Sequence, residues 1–303
     1  MALGAVMLCS AVWQAPAQSN VYSLNVVGYI NVIMSPGWNV VANQLYPFTN
    51  YNANNVLLGP AVDGSLLYRF NPATQGYYEA GTYLAGVGWY APSGNPNDPA
   101  LNLPLGEGVL IWTSQRWTNC FLGEVEQGHL VNPLPAGFSL KSSMVPVSGG
   151  LETLIAFPAH PNDRVWRGPP PVASSYLFDE LDLAWHPTAP SLNVGEGFFL
   201  YTTDSRLWIW DFVVQSAPSP PASSRAALAA PALQVAPQLR FYFTLKNGAA
   251  ILNISKSPGQ YYNVEFSQDR ASWTTVATGQ SSALWQEPLR PGTRGYYRLV
   301  LLP

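Results

Sequence analysis

Short apolar runs separated by turn-forming residues follow one another along the whole chain. Residues 109–112 are continuously apolar, whereas residues 250–254 alternate between apolar and polar. The run at 66–70 leads into Asn71-Pro72-Ala73-Thr74-Gln75-Gly76, whose composition is typical of a hairpin turn. These patterns predict many short β-strands. Short helices are predicted only at residues 54–58 and 151–155.

An internal repeat is marked by a glutamate between two glycines. Gly106-Glu107-Gly108 and Gly195-Glu196-Gly197 are each followed by a continuous apolar strand. Other positions match in the same order along both copies: Trp38 with Phe138, Arg69 with Arg167, Trp89 with Trp185, and Tyr90 with His186. The repeat predicts two tandem duplicated β-sandwich-like or barrel-like modules, at residues 21–125 and 126–214. The strand near 122–125 resembles residues 27–30, so it is a candidate both to close the first copy and to begin the second.

Two segments of different composition follow the repeat. Residues 215–237 are rich in Pro, Ala and Ser, which predicts a semi-extended linker. Residues 238–303 contain further alternating runs, which predict a third, smaller β-sandwich. The predicted fold class is therefore all-β, with two tandem modules, a linker and a small C-terminal sandwich.

The C-terminal segment resembles a known type of domain. The pattern Tyr262-x-Val264-x-Phe266-Ser267-x-Asp269-x-x-x-Trp273, with a closing Tyr296-Tyr297-Arg298, is similar to the C-terminal β-sandwich of many large secreted proteins of environmental Gram-negative bacteria. Leu289-Arg290-Pro291-Gly292-Thr293 is similar to the corresponding stretch of fibronectin type III domains, and the Gly-Glu-Gly-Phe-Phe module resembles a repeat in the same secreted proteins. The resemblance implies secretion and a sandwich architecture, and it implies no enzyme activity. Since the segment is short for such a domain, a missing or merged strand is expected.

The N-terminus has the features of a secretion signal. Residues 2–13 are an apolar run, and Ala15-Pro16-Ala17 places small residues at the two positions that a signal peptidase reads. We expect a signal peptide over residues 1–17, cleavage before Gln18, and a location outside the cell or at its surface. The alternative is a buried N-terminal strand or helix.

The low charge of the chain limits the kinds of partner that it is expected to bind. Charged residues make up 10% of the chain and the net charge is −3, whereas a typical domain has about 25% charged residues. No basic cluster is present that would bind nucleic acid. Apart from the N-terminal run, no stretch approaches the roughly 18 apolar residues of a membrane span. We therefore expect neither a nucleic-acid partner nor a membrane span.

Glu107 and Glu196 are the most tempting catalytic pair, because a retaining glycosidase uses two carboxyl groups about 5–5.5 Å apart. However, they occupy the same position in separate copies, and such positions are not expected to share one cleft. A structural turn is the simpler interpretation, in which each carboxylate accepts backbone N–H bonds or pairs with a nearby arginine.

Other chemistry-bearing residues give little indication of a site. His129, His160 and His186 show no metal-ligand spacing. Calcium is a candidate for the oxygen-rich stretch Asn95-Pro96-Asn97-Asp98 and for the acidic cluster of Asp179, Glu180 and Asp182, but ordinary turn chemistry explains both. Once the signal is removed, Cys120 is the only cysteine, and we expect it to act as a small buried apolar residue. No catalytic residue, metal ligand or cofactor is assigned.

The aromatic side chains carry the best functional hypothesis, because flat apolar faces can stack on sugar rings. The candidate ligand-binding residues are Trp117, Trp208, Trp210, Tyr90 and Trp185. Tryptophans that match between copies are expected to fill cores, as at Trp38/Phe138 and Trp89/Trp185. The unmatched Trp117 and Trp208 are expected to be exposed, and Trp208 and Trp210 should share one strand face.

Together these features predict a secreted, non-enzymatic β protein with a structural or adhesive role at the cell exterior, acting by self-association or by contact with surface polymers. The alternative is an extracellular carbohydrate-binding protein with exposed Trp and Tyr platforms. A hydrolase is the third hypothesis.

Overall fold

The computed structural model describes residues 21–22, 25–169, 173–214, 239–246, 249–256, 258–288, 290, 292 and 294–302. The expected signal peptide and the Pro/Ala linker at 215–237 lie outside these residues. In the part of the chain that is described, no helix is long and apolar enough to cross a membrane.

The first unit runs from β2 to β10. Its elements are β2 (Val27–Met34), β3 (Gly37–Ala42), α1 (Ala53–Val56), β4 (Leu66–Tyr68), β5 (Phe70–Asn71), β6 (Gly76–Tyr77), β7 (Gly81–Leu84), β8 (Gly88–Tyr90), a 3₁₀ turn (Pro99–Leu101), β9 (Gly108–Thr113) and β10 (Trp117–Glu124). A short strand, β1 (Val21–Tyr22), precedes it.

The second unit runs from β11 to β19. Its elements are β11 (Gly128–Leu134), β12 (Gly137–Lys141), β13 (Gly149–Gly150), β14 (Arg164–Arg167), β15 (Ser174–Phe178), β16 (Trp185–His186), β17 (Ser191–Leu192), β18 (Phe198–Thr202) and β19 (Arg206–Phe212).

The C-terminal strands are β20 (Arg240–Lys246), β21 (Ala249–Ser255), β22 (Tyr262–Ser267), β23 (Thr274–Gln280), β24 (Leu284–Pro288) and β25 (Arg294–Leu301). The chain is therefore all-β, as the short apolar runs predicted.

The two units have the same strand order. The first unit contains a five-stranded antiparallel sheet in the order β3-β9-β4-β7-β8, and the second contains one in the order β12-β18-β14-β15-β16. In each unit the first and last strands also pair with each other, as β2 with β10 and β11 with β19. This correspondence is what the sequence repeat leads one to expect, while duplication itself stays a prediction.

The C-terminal strands share a sheet with the first unit. β20, β21 and β24 form one three-stranded sheet, and the second sheet has the order β10-β2-β25-β22-β23, with β1 also paired to β25. β2 pairs with β25 over Val27–Ile30, so an N-terminal strand extends the sheet of C-terminal strands. The short C-terminal segment thus contributes six strands to these two sheets, and β2 of the first unit pairs with its last strand, β25.

β2 is buried on both faces because it lies between two cores. Val27 and Tyr29 pack into the core between the two C-terminal sheets, whereas Val26 and Ile30 pack into the core of the first unit. Alternate residues of a strand point to opposite faces, so this one strand joins both cores. A third core fills the second unit around Phe198.

A fourth, smaller cluster lies between the two units. Val40 and Leu110 of the first unit pack against Leu140 of the second. Val41 and Val109, their neighbours along the strands, point instead into the core of the first unit. One face of the first five-stranded sheet therefore covers its own core, and the other face lies against the second unit.

Two local expectations are wrong, and one strand was missed. Residues 151–155 form turns rather than a helix. In α1 the Asn52 side chain caps the helix by accepting from the Asn54 N–H. Gly150, which precedes residues 151–155, has no side chain that could form such a cap. β10 pairs with β2 and does not begin the second unit, which starts with β11. β24 was not predicted, because Leu284 and Trp285 stand alone among polar neighbours.

Candidate functional site

Each Gly-Glu-Gly turn holds an ion pair within its own unit. Glu107 accepts two bonds on Oε2 from Arg69, 3.1 Å from Nε and 2.8 Å from Nη2. Glu196 receives Arg167 in a bidentate manner, 2.8 Å from Nε to Oε1 and 2.8 Å from Nη2 to Oε2. Each glutamate therefore pairs with a nearby arginine, as the structural interpretation expects, while the structural role itself stays a prediction. Bonding to Glu196 raises the pKa of Arg167.

The two turns meet at the junction between the units. A Cβ placed on Gly108 would lie 3.2 Å from the Cα of Gly197, and one on Gly197 would lie 3.0 Å from the Cα of Gly108. The backbone contacts are reciprocal, because the Ala42 N–H donates to Gly195 and the Ser142 N–H donates to Gly106.

This contact between the turns was not predicted from the repeat. The two carboxylates nevertheless remain occupied by their own arginines, and Glu196 alone lines the groove described next.

A groove, which we call the polar groove, runs between the first and second units. It consists of a cleft of about 590 Å³ and an adjoining cleft of about 410 Å³, which share Val32, Ile33, Asn193 and Val194. Trp38 stands at one end, beside the Arg167–Glu196 pair, and Arg294 lies at the other. Clefts of about 300–1,000 Å³ are typical of ligand sites.

The wall of the polar groove is fixed by internal hydrogen bonds. The Asn39 amide accepts from the Ser35 N–H at 2.9 Å and donates to the Ser35 carbonyl at 2.8 Å, which holds the turn before Trp38. The Asn193 amide donates to Glu196 at 3.0 Å and the Asn31 amide donates to the Gly292 carbonyl at 3.0 Å. Among the described residues nothing donates to the Oδ1 atoms of Asn31 and Asn193, so both can accept from a ligand hydroxyl.

A second opening, which we call the aromatic cleft, lies across the same junction and has a volume of about 520 Å³. Phe70 and Tyr77 of the β5–β6 hairpin form one wall, and Phe138, Trp166 and Phe199 of the second unit form the other. The rings of Phe138 and Trp166 are 5.9 Å apart and inclined by 34°.

Most of the aromatic residues predicted to bind ligand are not available for binding. Trp117 and Trp208 are 6% and 3% exposed, so the expectation that they are exposed is wrong. Trp185 is also buried, as a matched core residue, and its indole N–H donates to Glu152 at 2.7 Å. Trp210 is half-buried on the same face of β19 as Trp208, and Tyr90 alone is exposed.

Two of the exposed aromatics are residues that the repeat assigned to cores. Trp38 is 38% exposed and Phe138, its match in the second copy, is 45% exposed, whereas the other matched pair, Trp89 and Trp185, is buried as predicted. The expectation that Trp38 and Phe138 fill cores is wrong. Residues can match between the copies because they hold equivalent positions at the junction between the units, and not only because they hold equivalent positions in a core. No local signal distinguishes them, since Trp89 also follows a Gly that begins its strand and is buried.

Two of the histidines and the two oxygen-rich stretches belong to surface pairs and turns. His129 contacts Asp211 and His186 contacts Asp182, each at 2.8 Å, with exposed side chains. In the oxygen-rich stretch, Asp98 accepts from Ser93 and from the Ala100 N–H, which lowers its pKa.

The acidic cluster shows the same kind of bonding. Asp179 accepts from the Leu181 N–H at 2.7 Å, Asp182 accepts from the Ala184 N–H at 3.1 Å, and Glu180 accepts from Asn162 at 3.0 Å. Both stretches therefore show turn chemistry. Over the described ranges, no group of three His, Cys, Asp or Glu side chains is placed to hold a metal ion.

Burial shifts the pKa values of several groups, among them Lys141 and Cys120. Lys141 is buried at the junction near Glu107 and Arg69, and loss of solvation lowers its pKa to about 8. Cys120 lies in β10 against the core between the C-terminal sheets, and burial raises its pKa to about 12. Cys120 therefore behaves as an apolar residue, as expected.

Comparison with models of protein families, with curated proteins and with solved structures finds no match for this chain. Its function is therefore inferred from its own geometry.

Proposed function

We propose that this is a non-enzymatic structural or adhesive protein of the cell exterior, which holds extracellular polysaccharide in the polar groove. The observation that carries the proposal is the extent of the groove, in which two clefts share four lining residues and together reach from Trp38 past the end of β2 to Arg294. An open groove of this kind suits a chain of sugar rings better than a compact metabolite.

The chemistry of the groove supports a neutral polymer. Trp38 offers a flat face with a polar rim, and the amide oxygens of Asn31 and Asn193 are acceptors for hydroxyls. The one carboxylate in the groove, Glu196, is neutralised by Arg167 at 2.8 Å. The groove therefore presents mainly uncharged hydrogen-bonding groups, with the guanidinium of Arg294 as a charged group at one end.

The same ion pairs support a non-catalytic role. General acid–base catalysis requires a carboxyl that can exchange a proton with the substrate, whereas Glu196 also accepts two bonds from Asn193 besides those from Arg167. Glu107 is likewise held by Arg69. Neither is free to act on a glycosidic oxygen.

Affinity electrophoresis tests the proposal. The full chain is run through gels that contain neutral glucans, mannans, galactans, xylans or an acidic polysaccharide, and we expect at least one neutral polymer to slow it. Migration that no polymer alters would remove polymer binding, and release of reducing sugar from any polymer would remove the non-enzymatic part of the proposal.

A further inference from the structure

The aromatic cleft is an apolar site, and no charged side chain lies among the described residues that line it. Besides the five aromatic residues, these are Ala173 and Ser175. Tyr77 and Phe138 are both exposed although they face the cleft. A site with so few hydrogen-bonding groups favours an occupant that is apolar and rigid rather than a sugar.

The width of the cleft is set before any ligand binds. Gln75, at the tip of the β5–β6 hairpin, accepts from the Phe138 N–H at 2.7 Å and donates to the Phe138 carbonyl at 3.1 Å. Gln75 also donates to the Pro72 carbonyl at 2.7 Å, which fixes the tip itself. These bonds hold the hairpin of the first unit against β12 of the second. Such preorganisation lowers the entropic cost of binding.

Proline-rich peptides are the ligands that aromatic-lined grooves of this kind take, because a polyproline II helix loses little entropy on binding. This chain carries such a sequence in residues 216–237. Its prolines are Pro218, Pro220, Pro221, Pro231 and Pro237. Arg225 is the one charged residue in it, so the segment matches the uncharged lining of the cleft.

The polar groove shows a related arrangement within one chain. Trp38, the counterpart of Phe138, lines the groove together with Gly168 and Pro169 of the second unit. In the first unit the corresponding hairpin contributes Phe70 and Tyr77 rather than proline, and the cleft beside Phe138 is open. A proline thus shares a site with the exposed aromatic on one side of the junction, whereas none of the described residues that line the aromatic cleft is a proline.

The positions of the segment's ends favour an occupant from another molecule. Val214 packs into the core of the first unit with Val26 and Tyr296, and Leu239 packs beside Val27 in the neighbouring core. The aromatic cleft opens beside the Val40–Leu110 cluster, on the opposite face of the first five-stranded sheet. Both ends of the segment therefore lie away from the face of the sheet on which the cleft opens.

We propose that the aromatic cleft binds the proline-rich segment 216–237 of a second copy of this protein. Each copy offers one cleft and one segment, so the contact is heterologous and links copies head to tail. This inference adds a route of self-association to the proposed polymer contact and does not depend on it.

Sedimentation equilibrium of the full chain tests this proposal, over protein concentrations from about 1 μM to about 1 mM, where weak contacts are populated. The cleft variant is Phe138→Ala, and the segment variant carries Pro218→Ala, Pro220→Ala and Pro221→Ala. Trp38→Ala, the counterpart change in the polar groove, is the matched control. We expect the mean mass of the unaltered protein and of the control to rise with concentration, while each of the two variants remains a monomer.

Mixing the two variants separates the proposed contact from a general loss of association. The segment variant keeps an intact cleft and the cleft variant keeps an intact segment, so an equimolar mixture should form a dimer and stop there. A monomeric unaltered protein at every concentration would overturn the proposal, as would association that persists in Phe138→Ala or a mixture that stays monomeric. Unchanged circular dichroism confirms that the variants are folded.

Discussion

Gly108 and Gly197 face each other across the junction between the first and second units, with so little space that a Cβ on Gly197 would lie 3.0 Å from the Cα of Gly108. The same Cβ would lie 3.0 Å from the Val41 carbonyl oxygen. Both neighbours are backbone atoms, which cannot rotate away. The contact therefore requires glycine at the centre of the junction that forms both openings.

Substitution of Gly197 by alanine should destabilise the protein by about 1–3 kcal/mol, because overpacking at a rigid contact forces backbone shifts. Urea unfolding measures the change. Gly76→Ala is the control, since the nearest atom to its Cβ would be 4.0 Å away. Equal midpoints for the two variants would contradict the close contact.

Loss of the Glu196 carboxylate should cost more stability than loss of Glu107. Glu196 accepts two bonds from Arg167 and two from Asn193, whereas Glu107 accepts its two side-chain bonds on one oxygen from Arg69 alone. We expect about 1–2 kcal/mol for Glu196→Gln, a modest value because the pair is partly exposed. The free energies of unfolding of Glu196→Gln and Glu107→Gln give the comparison, and a larger effect at Glu107 would show that the bonding at Glu196 is misassigned.

Replacement of Lys141 by methionine should stabilise the protein at pH 7. The pKa of Lys141 is lowered from 10.5 to about 8 by burial, with Glu107 opposing the shift and Arg69 adding to it. Below pH 8 the lysine is charged in both states, so the folded state bears the full cost of the buried charge. Between about pH 8 and 10.5 the unfolded state binds more protons, so the stability of the unaltered protein rises with pH.

The advantage of Lys141→Met should therefore be largest below pH 8 and shrink toward pH 10.5. Urea midpoints of the two proteins at a series of pH values measure this. Lys141→Arg, which stays charged, should show no such convergence with Lys141→Met. A pH-independent difference between the unaltered protein and Lys141→Met would mean that the Lys141 ammonium is solvated.

Cys120 should be inert to thiol reagents in the folded protein, because its pKa of about 12 leaves it protonated at pH 8. Labelling with a disulfide reagent in a Cys9→Ser background should proceed at the rate of unfolding and become fast in urea. Rapid labelling without denaturant would contradict the packing of the Cys120 thiol against the core between the C-terminal sheets.

The sequence predicted local features well and long-range ones poorly. Continuous apolar runs predicted β9 and β18, and the repeat placed Arg69 and Arg167 at equivalent positions, as their two ion pairs require. The pairing of Val27 with Tyr297 has no local signature, since register between distant strands depends on the whole core. The exposure of Trp38 was missed because a half-exposed residue at a junction has the same apolar pattern as a core residue.

The sequence did not predict where the candidate site lies. Aromatic faces were expected to bind ligand, yet the residues chosen, Trp117 and Trp208, are buried where β10 and β19 close their units. Openings between two units arise from the packing of one unit on the other. No spacing within either unit encodes that packing.

Isothermal titration of the polysaccharide that slows the protein most tests the central claim directly, with Trp38→Ala compared against Phe138→Ala. Both residues are exposed aromatics at equivalent positions in the two units, but Trp38 lines the polar groove and Phe138 lines the aromatic cleft. The account predicts that Trp38→Ala weakens polymer binding by roughly tenfold, about 1.4 kcal/mol, while Phe138→Ala binds as the unaltered protein does. Equal affinity of Trp38→Ala and the unaltered protein would contradict polymer binding in the polar groove.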